Sequence, residues 1–464
     1  MAKGRVHPYI PNSEESVKKE MLKELGIKSA EDIFDAIPEH LRFRGKMNLP
    51  EPLLSEARLR QHVERMLAKN RNCKENLNFL GGGCWQHHVP SVCDTIAARD
   101  EFLTAYVGEA YSDHGKFQAL FETASMIGDL TGFEACNTPT YDWASAIGMA
   151  GRMACRTKGR RQILVGEDIS PGRLMVIQNY WKPEIEIVKV KYDYEKGGMD
   201  LNDLKSKISD KTTAVYFENP SYLGFIETGV KDIVKIAHKK AAFVIAGVDP
   251  SSLGVLEGPG NYGADYAVGD FQPLGLHIGF GGNQGGWVAT KDEKEMIAEY
   301  PSLLYGLTHT TKEGEWGFGE VFYERTSYAS REKGKDFVGT TTALFGIVAG
   351  VYMALMGPQG FKELGEGIMQ KVAYAKRKIA DVAKVKIVSP GVHTFKEFIV
   401  DFNGTGKAVK EINKALLAAN IFGGKDISRE FPVFGQSALY CITEMHTKED
   451  IDNLVTVLAN VCAA

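Results

Sequence analysis

The residues whose types and spacing could do chemistry fall in three glycine clusters, a pair of adjacent histidines and one strand-end aspartate. The clusters are "FLGGGCWQHH" (79–88), "GFGGNQGG" (279–286) and "NIFGGKDISR" (420–429). Glycine lets backbone N–H groups approach a phosphate closely and tolerates positive φ. None of the three matches a P-loop or dinucleotide fingerprint, so each reads first as a tight turn between strands. His87 and His88 would point apart in an extended backbone, and no carboxylate accompanies them at a useful spacing, which argues against a metal centre. His277 lies in the loop that leads into the second cluster, either touching a ligand or partly buried for packing.

Asp249 closes the apolar run "AAFVIAGVD" (241–249). A carboxylate at the carboxyl end of a strand faces the crevice where open α/β sheets bind ligands. There it either pairs with the ring nitrogen of a pyridoxal-type cofactor or caps the following loop. An aldehyde cofactor also needs a lysine amine to hold it. Yet the chain from Ala241 to Thr290 contains no lysine. Lys291 comes next, but it lies beyond the strand-like "GGWVAT" and is not expected to substitute.

The elements around these residues alternate. "RQILVGED", "EIEIVKV", "TTAVYFENP", "AAFVIAGVD", "ADYAVGD" and "GGWVAT" are short apolar strand candidates, and helical patterns such as "VKDIVKIAHKKA" lie between several of them. That grammar predicts an α/β fold with a mainly parallel sheet covered on both faces. Residues 1–75 read as an arm of short amphipathic helices, with Ser13 as an N-cap, Gly26 as a stop, and Leu59, Val63 and Leu67 on one stripe. Residues 76–330 form the large α/β domain, and 331–464 a connecting helix and a small α+β domain whose last helix opens with Thr447 and Asp450. The run "ALFGIVAGVYMALM" (343–356) is too short to span a membrane and is expected to be a buried helix ended by Gly357-Pro358. A net charge of −4 gives no case for nucleic acid or an anionic membrane. Seven cysteines without a C-x-x-C pair fit a reduced, cytoplasmic protein.

Taken in order, "YIPNSEESVKKEMLKELGIKSAEDIFDAIPEHLR", "FLGGGCWQHHVPSV", "EFLTAY", "YDWASA", "NPSYLGFIE", "VDPSSLGVL", "YGADYAVGDFQPLG", "GFGGNQGGWVAT", "REKG" and "NIFGGKDISREFP…ALYCITEMH" resemble the α subunit of the glycine cleavage system P-protein, from about residue 7 to the C-terminus. The resemblance implies a fold type I pyridoxal-phosphate enzyme with a seven-stranded-type sheet, split into paralogous α and β chains, in an α2β2 assembly. It implies glycine decarboxylation with transfer of the aminomethyl group to the lipoyl arm of H-protein. The pyridoxal 5'-phosphate and its Schiff-base lysine belong to the β subunit, and Gln272 stands near where that lysine would be. No catalytic residue is then expected on this chain. Asp249, Gly281 and Gly282 are cofactor-side candidates, vestigial or reaching the partner's site, and Tyr106 a substrate-entrance candidate. The sequence departs from the family at 107–116 and 331–342. That leaves open a related complex acting on another amine or amino acid, or a non-catalytic scaffold of the same fold.

Overall fold

The computed structural model describes residues 6, 9–102, 114–282, 284–301, 304–336, 338 and 342–463. The chain divides into two compact units, Met1–Arg71 and Asn72–Ala464.

In the first unit, helices Glu15–Glu24 and Glu56–Leu67 are separated by 3-10 turns, and neither helix buries a side chain. Ser13 falls one residue short of the expected cap. Glu14 takes that position, accepting from the N–H groups of Ser16 and Val17 at 2.9 and 3.1 Å. A carboxylate there satisfies the same orphan donors and suits the positive end of the helix dipole. Gly26 stops the helix at φ +68°. Leu59, Val63 and Leu67 are all exposed.

The second unit is built on strands β1 (Ala135–Thr140), β2 (Gln162–Gly166), β3 (Glu186–Val190), β4 (Thr212–Glu218), β5 (Phe243–Gly247), β6 (Tyr266–Asp270) and β7 (Gly286–Thr290). They form one seven-stranded sheet in the order β1-β7-β6-β5-β4-β2-β3. β7 runs antiparallel to both neighbours, and the other pairs are parallel. Alternate residues leave the sheet on opposite faces. Ile163, Val165, Tyr216, Ile245 and Val268 join Trp143, Ala146 and Ile147 of the helix Trp143–Lys158 in one core. Leu164, Val215, Phe217, Val244 and Ala267 join Ile233 and Val234 of the helix Val230–His238 in the other. Both faces are therefore covered, which is why these strands read as unbroken apolar runs.

The helix Ala343–Ala380 also reaches the second of these cores, through Val348, Ala349, Tyr352 and Met353. Gly357 (φ 56°, ψ 180°) kinks it but does not end it. The chain resumes as helix because Pro358 opens a new first turn, where its missing N–H costs nothing. Beyond it, β8 (Lys386–Ile387), β9 (Glu397–Asp401), β10 (Lys425–Asp426) and β11 (Ser437–Cys441) form an antiparallel sheet in the order β8-β9-β11-β10. Its core holds Phe398, Val400, Ile412, Leu416, Ile451 and Leu454. The helix Lys448–Ala463 carries the expected capping box: Asp450 N–H donates to Thr447 Oγ1 (3.1 Å) and Thr447 N–H to Asp450 Oδ2 (2.8 Å).

Candidate active site: a filled pocket at the carboxyl edge

Parallel strands bring their carboxyl ends to one edge, and here that edge is acidic. β4 ends on Glu218, its neighbour β5 runs on to Asp249, and β6 ends on Asp270. All three are buried. Burial pushes the Asp270 carboxyl up to about 7; Arg173 opposes the shift and Asp249 adds to it. So concentrated an acidic edge requires cations.

Two arrive from outside the sheet. Arg173, in the first turn of the helix Pro171–Trp181, donates to Glu218 Oε2 at 2.8 Å and lies over the Trp143 ring at 3.6 Å. Lys396 enters from the side of the smaller sheet, one residue before β9. Its Nζ stands 2.6 Å from Asp249 Oδ2 and 3.0 Å from Ser251 Oγ, and 3.9 Å over the Trp85 ring. Lys396 and Asp249 are both buried. Asp249 also caps the short 3-10 helix Pro250–Gly254, accepting Ser251 N–H at 3.0 Å. Capping, one of the two roles open to this residue in the sequence, is thus present.

The segment Phe79–His88, which carries the first glycine cluster, threads between the two sheets. Phe79 O accepts from Cys441 N at 3.0 Å, and Gly82 N–H donates to Glu397 Oε1 at 2.5 Å. Gln272 closes a reciprocal pair with Trp85: Trp85 N–H donates to Gln272 Oε1 (3.0 Å) and Gln272 Nε2 to Trp85 O (2.7 Å). The Glu397 carboxyl is raised to about 7 by burial, against the pull of Gly82 N–H and the Trp85 indole. His87 Nδ1 and His88 N–H both meet Glu444, at 2.8 and 2.6 Å. Burial would raise the Glu444 carboxyl, but the charge and hydrogen bonds from His87 and His88 overcome it and hold the group near about 2. His277 lies exposed against Asp94 at 2.9 Å. Among the described residues no three His, Cys, Asp or Glu side chains gather as metal ligands.

The space left among Trp85, Trp143, Arg173, Tyr222, Asp249 and Lys396 is about 10 Å³. One water needs roughly that much, and a small-molecule site typically needs ~300 Å³ or more. These residues do not fit a pyridoxal phosphate: the aspartate that would meet its ring nitrogen is already paired, and the ring's volume is filled. Lys291 offers no alternative. β7 is antiparallel, so Thr290 pairs with Tyr266 at the start of β6, which puts Lys291 at the opposite edge from Asp249. Gly281 (φ +85°) and Gly282 sit in a turn beside the fully exposed Phe280, and a side chain at Gly281 would meet nothing within 4 Å. The structure does not bring that turn into the pocket at Asp249. Tyr106 lies outside the described residues, as does most of 107–116 and part of 331–342.

The sheet order and the acidic carboxyl edge define the class: the fold is that of the type I pyridoxal-phosphate-dependent enzymes. At the level of fold alone it resembles a NifS-like protein (12% identical, TM-score 0.62, 84% of this chain and 99% of that one) and a sphingosine-1-phosphate lyase of Burkholderia pseudomallei (12%, TM-score 0.66, 92% and 94%). The particular family follows from residues 7–458, which match the model of the glycine cleavage system P-protein, and the chain belongs to that family. It is 36% identical to the probable glycine dehydrogenase (decarboxylating) subunit 1 of Staphylothermus marinus, over 98% of both chains. It is 37% identical to the protein of that name from Pyrococcus furiosus, over 98% of this chain and 99% of the other. A solved, inhibitor-bound glycine decarboxylase (P-protein) superposes with a TM-score of 0.84 at 33% identity, covering 97% of this chain and 98% of that one.

Proposed function

We propose that this chain is the α subunit of a heteromeric glycine decarboxylase, pairing with a β subunit that carries the Schiff-base lysine and the pyridoxal phosphate. The observation that carries the reading is the filled pocket, with Lys396 on Asp249; the resemblance sets Gln272, which donates to Trp85 O, near where the lysine would stand. Pyridoxal phosphate, held by the partner, supplies the electron sink for loss of CO2. The residues of this chain shape and support that site and do not react. In this reading the turn at Gly281–Gly282 and the segment bearing Tyr106 face the partner's cofactor and substrate entrance, and the lipoyl arm of H-protein accepts the aminomethyl group. An α2β2 assembly accommodates both chains, and the exposed apolar stripe of the N-terminal arm is covered by the partner. The relatives' shared designation as a subunit 1 supports a second chain.

The test is reconstitution. The full chain, its lysine-bearing partner, a lipoylated carrier and glycine together are expected to release CO2, and neither chain alone should do so. A folded mixture that leaves glycine untouched but decarboxylates another amino acid would redirect the reading to the divergent segments 107–116 and 331–342.

A further inference from the structure

The pocket at Asp249 is occupied from within. We infer that the Lys396 ammonium is a resident cation that takes the ring nitrogen's place on Asp249 and thereby bolts the C-terminal domain to the large sheet, so that this subunit stays closed without any ligand.

Four observations meet here. The ammonium is fully engaged: Asp249 Oδ2 at 2.6 Å, Ser251 Oγ at 3.0 Å and the Trp85 ring face at 3.9 Å. A cation over an indole is the favourable geometry for the third direction. The backbone around it is clamped on both sides, with Phe395 N–H donating to Gly224 O (2.9 Å) and Ile442 N–H to Lys396 O (2.8 Å). Lys396 itself holds φ +61°, a left-handed conformation that non-glycine residues adopt at a cost and keep only where surroundings dictate it. The partners belong to different layers. Asp249 and Ser251 follow β5 of the large sheet, whereas Lys396 leads into β9 of the small one. Through Trp85 the contact continues to Gln272, which anchors the start of the loop that leads into the glycine turn.

Two-domain enzymes commonly close when a ligand bridges the crevice. A cation carried by the chain is always at hand, so the closed arrangement needs no bound ligand. The partner would then meet a rigid surface whose shape does not depend on cofactor or substrate.

The experiment uses the full chain alone, without partner or substrate, so its outcome is separable from the reaction proposed above. Backbone hydrogen exchange is followed in peptides spanning Phe79–Gln86 and Phe395–Asp401, with Gly286–Thr290 as the internal control. Lys396→Met keeps the length and removes the charge, and is expected to exchange at least tenfold faster in the first two peptides only. Lys396→Ala is expected to behave likewise and to be restored by n-propylammonium, the excised side chain, but not by propan-1-ol. Wild-type protection in Lys396→Met overturns the inference, and so does restoration by both additives or by neither. If Lys396→Ala does not accumulate folded, the Lys396→Met comparison with Lys396→Arg, expected to retain protection, decides the same question.

Discussion

Replacing Arg173 with Met tests whether the acidic carboxyl edge dictates the cations around it. Arg173 is 10% exposed and Glu218 1%, with 2.8 Å between them. At that distance and an effective dielectric of ~20, the attraction is about 6 kcal/mol before desolvation is counted. Removing one member of such a buried pair typically costs about 3–5 kcal/mol, because the survivor is left charged and dry. Tyr216 Oη–H still donates to Glu218 Oε1 at 2.9 Å, so the carboxylate is not wholly stranded. Loss of the stack on Trp143 contributes as well, but it shares the guanidinium and does not add independently. The expected loss is therefore about 3–4 kcal/mol. Urea unfolding followed by tryptophan fluorescence reads it, and the double variant R173M/E218Q separates charge from packing. It removes the stranded carboxylate and should recover more than half of the loss. If R173M costs less than about 1 kcal/mol, or the double variant is no more stable than R173M, the pair is incidental and the electrostatic account of the edge is wrong.

Glu397 gives a pH signature. Its carboxyl is raised to about 7 by burial, so between about pH 4.5 and 7 the folded state holds a proton that the unfolded chain has released. Stability therefore falls as pH rises through that window, by up to ~3 kcal/mol from this group, and is level above it. Glu397→Gln cannot ionise, and its stability measured from pH 4.5 to 8 should decline less than that of the wild type; an unchanged slope would locate the proton elsewhere. Gly224 makes a purely steric prediction. It holds φ +86°, and a Cβ there would stand 1.9 Å from Glu397 O, a backbone atom that cannot swing away. Gly224→Ala should lose several kcal/mol or fail to accumulate as soluble protein, and a thermal midpoint within a few degrees of wild type would show that the approach of Gly224 to the β9 backbone is not as tight as described.

How much was legible depended on whether the cause was local. β2, β4, β5, β6 and β7 announced themselves because strands buried on both faces must be apolar throughout. Thr447 and Asp450 were readable because a capping box is written within four residues. β1 was not, since "ACNTPT" lacks β-branched aliphatics and includes Pro139. It is a strand because it pairs with β7 from Thr140↔Gly286 to Ala135↔Thr290. The hairpin Tyr305–His309 with Trp316–Glu320 is not legible either, its glycines resembling a loop. Asp249 was found by the rule that carboxyl ends face crevices, and the absence of a lysine between 241 and 290 was plain. Lys396 was not found. "HTFKEFIV" shows a charge in an otherwise apolar strand entry, which is a signal, but nothing local says what it meets.

That asymmetry explains why the pocket is filled by an ammonium and not by an apolar side chain. Asp249 has work that no ligand performs: it caps Pro250–Gly254 and accepts from Ser251 N–H and Oγ–H. The carboxylate therefore stays, with Asp270 and Glu218 on the adjoining strands, and a dry carboxylate requires either a proton or a counter-cation. In an enzyme that holds its cofactor there, the ring nitrogen is that cation. In this chain the counter-cation beside Asp249 is Lys396, and it comes from an element that faces the edge. The segment leading into β9 does face it, and Lys396 is the residue by which it does so. The filled pocket thus follows from keeping the aspartate, and the same contact that neutralises it joins the two sheets.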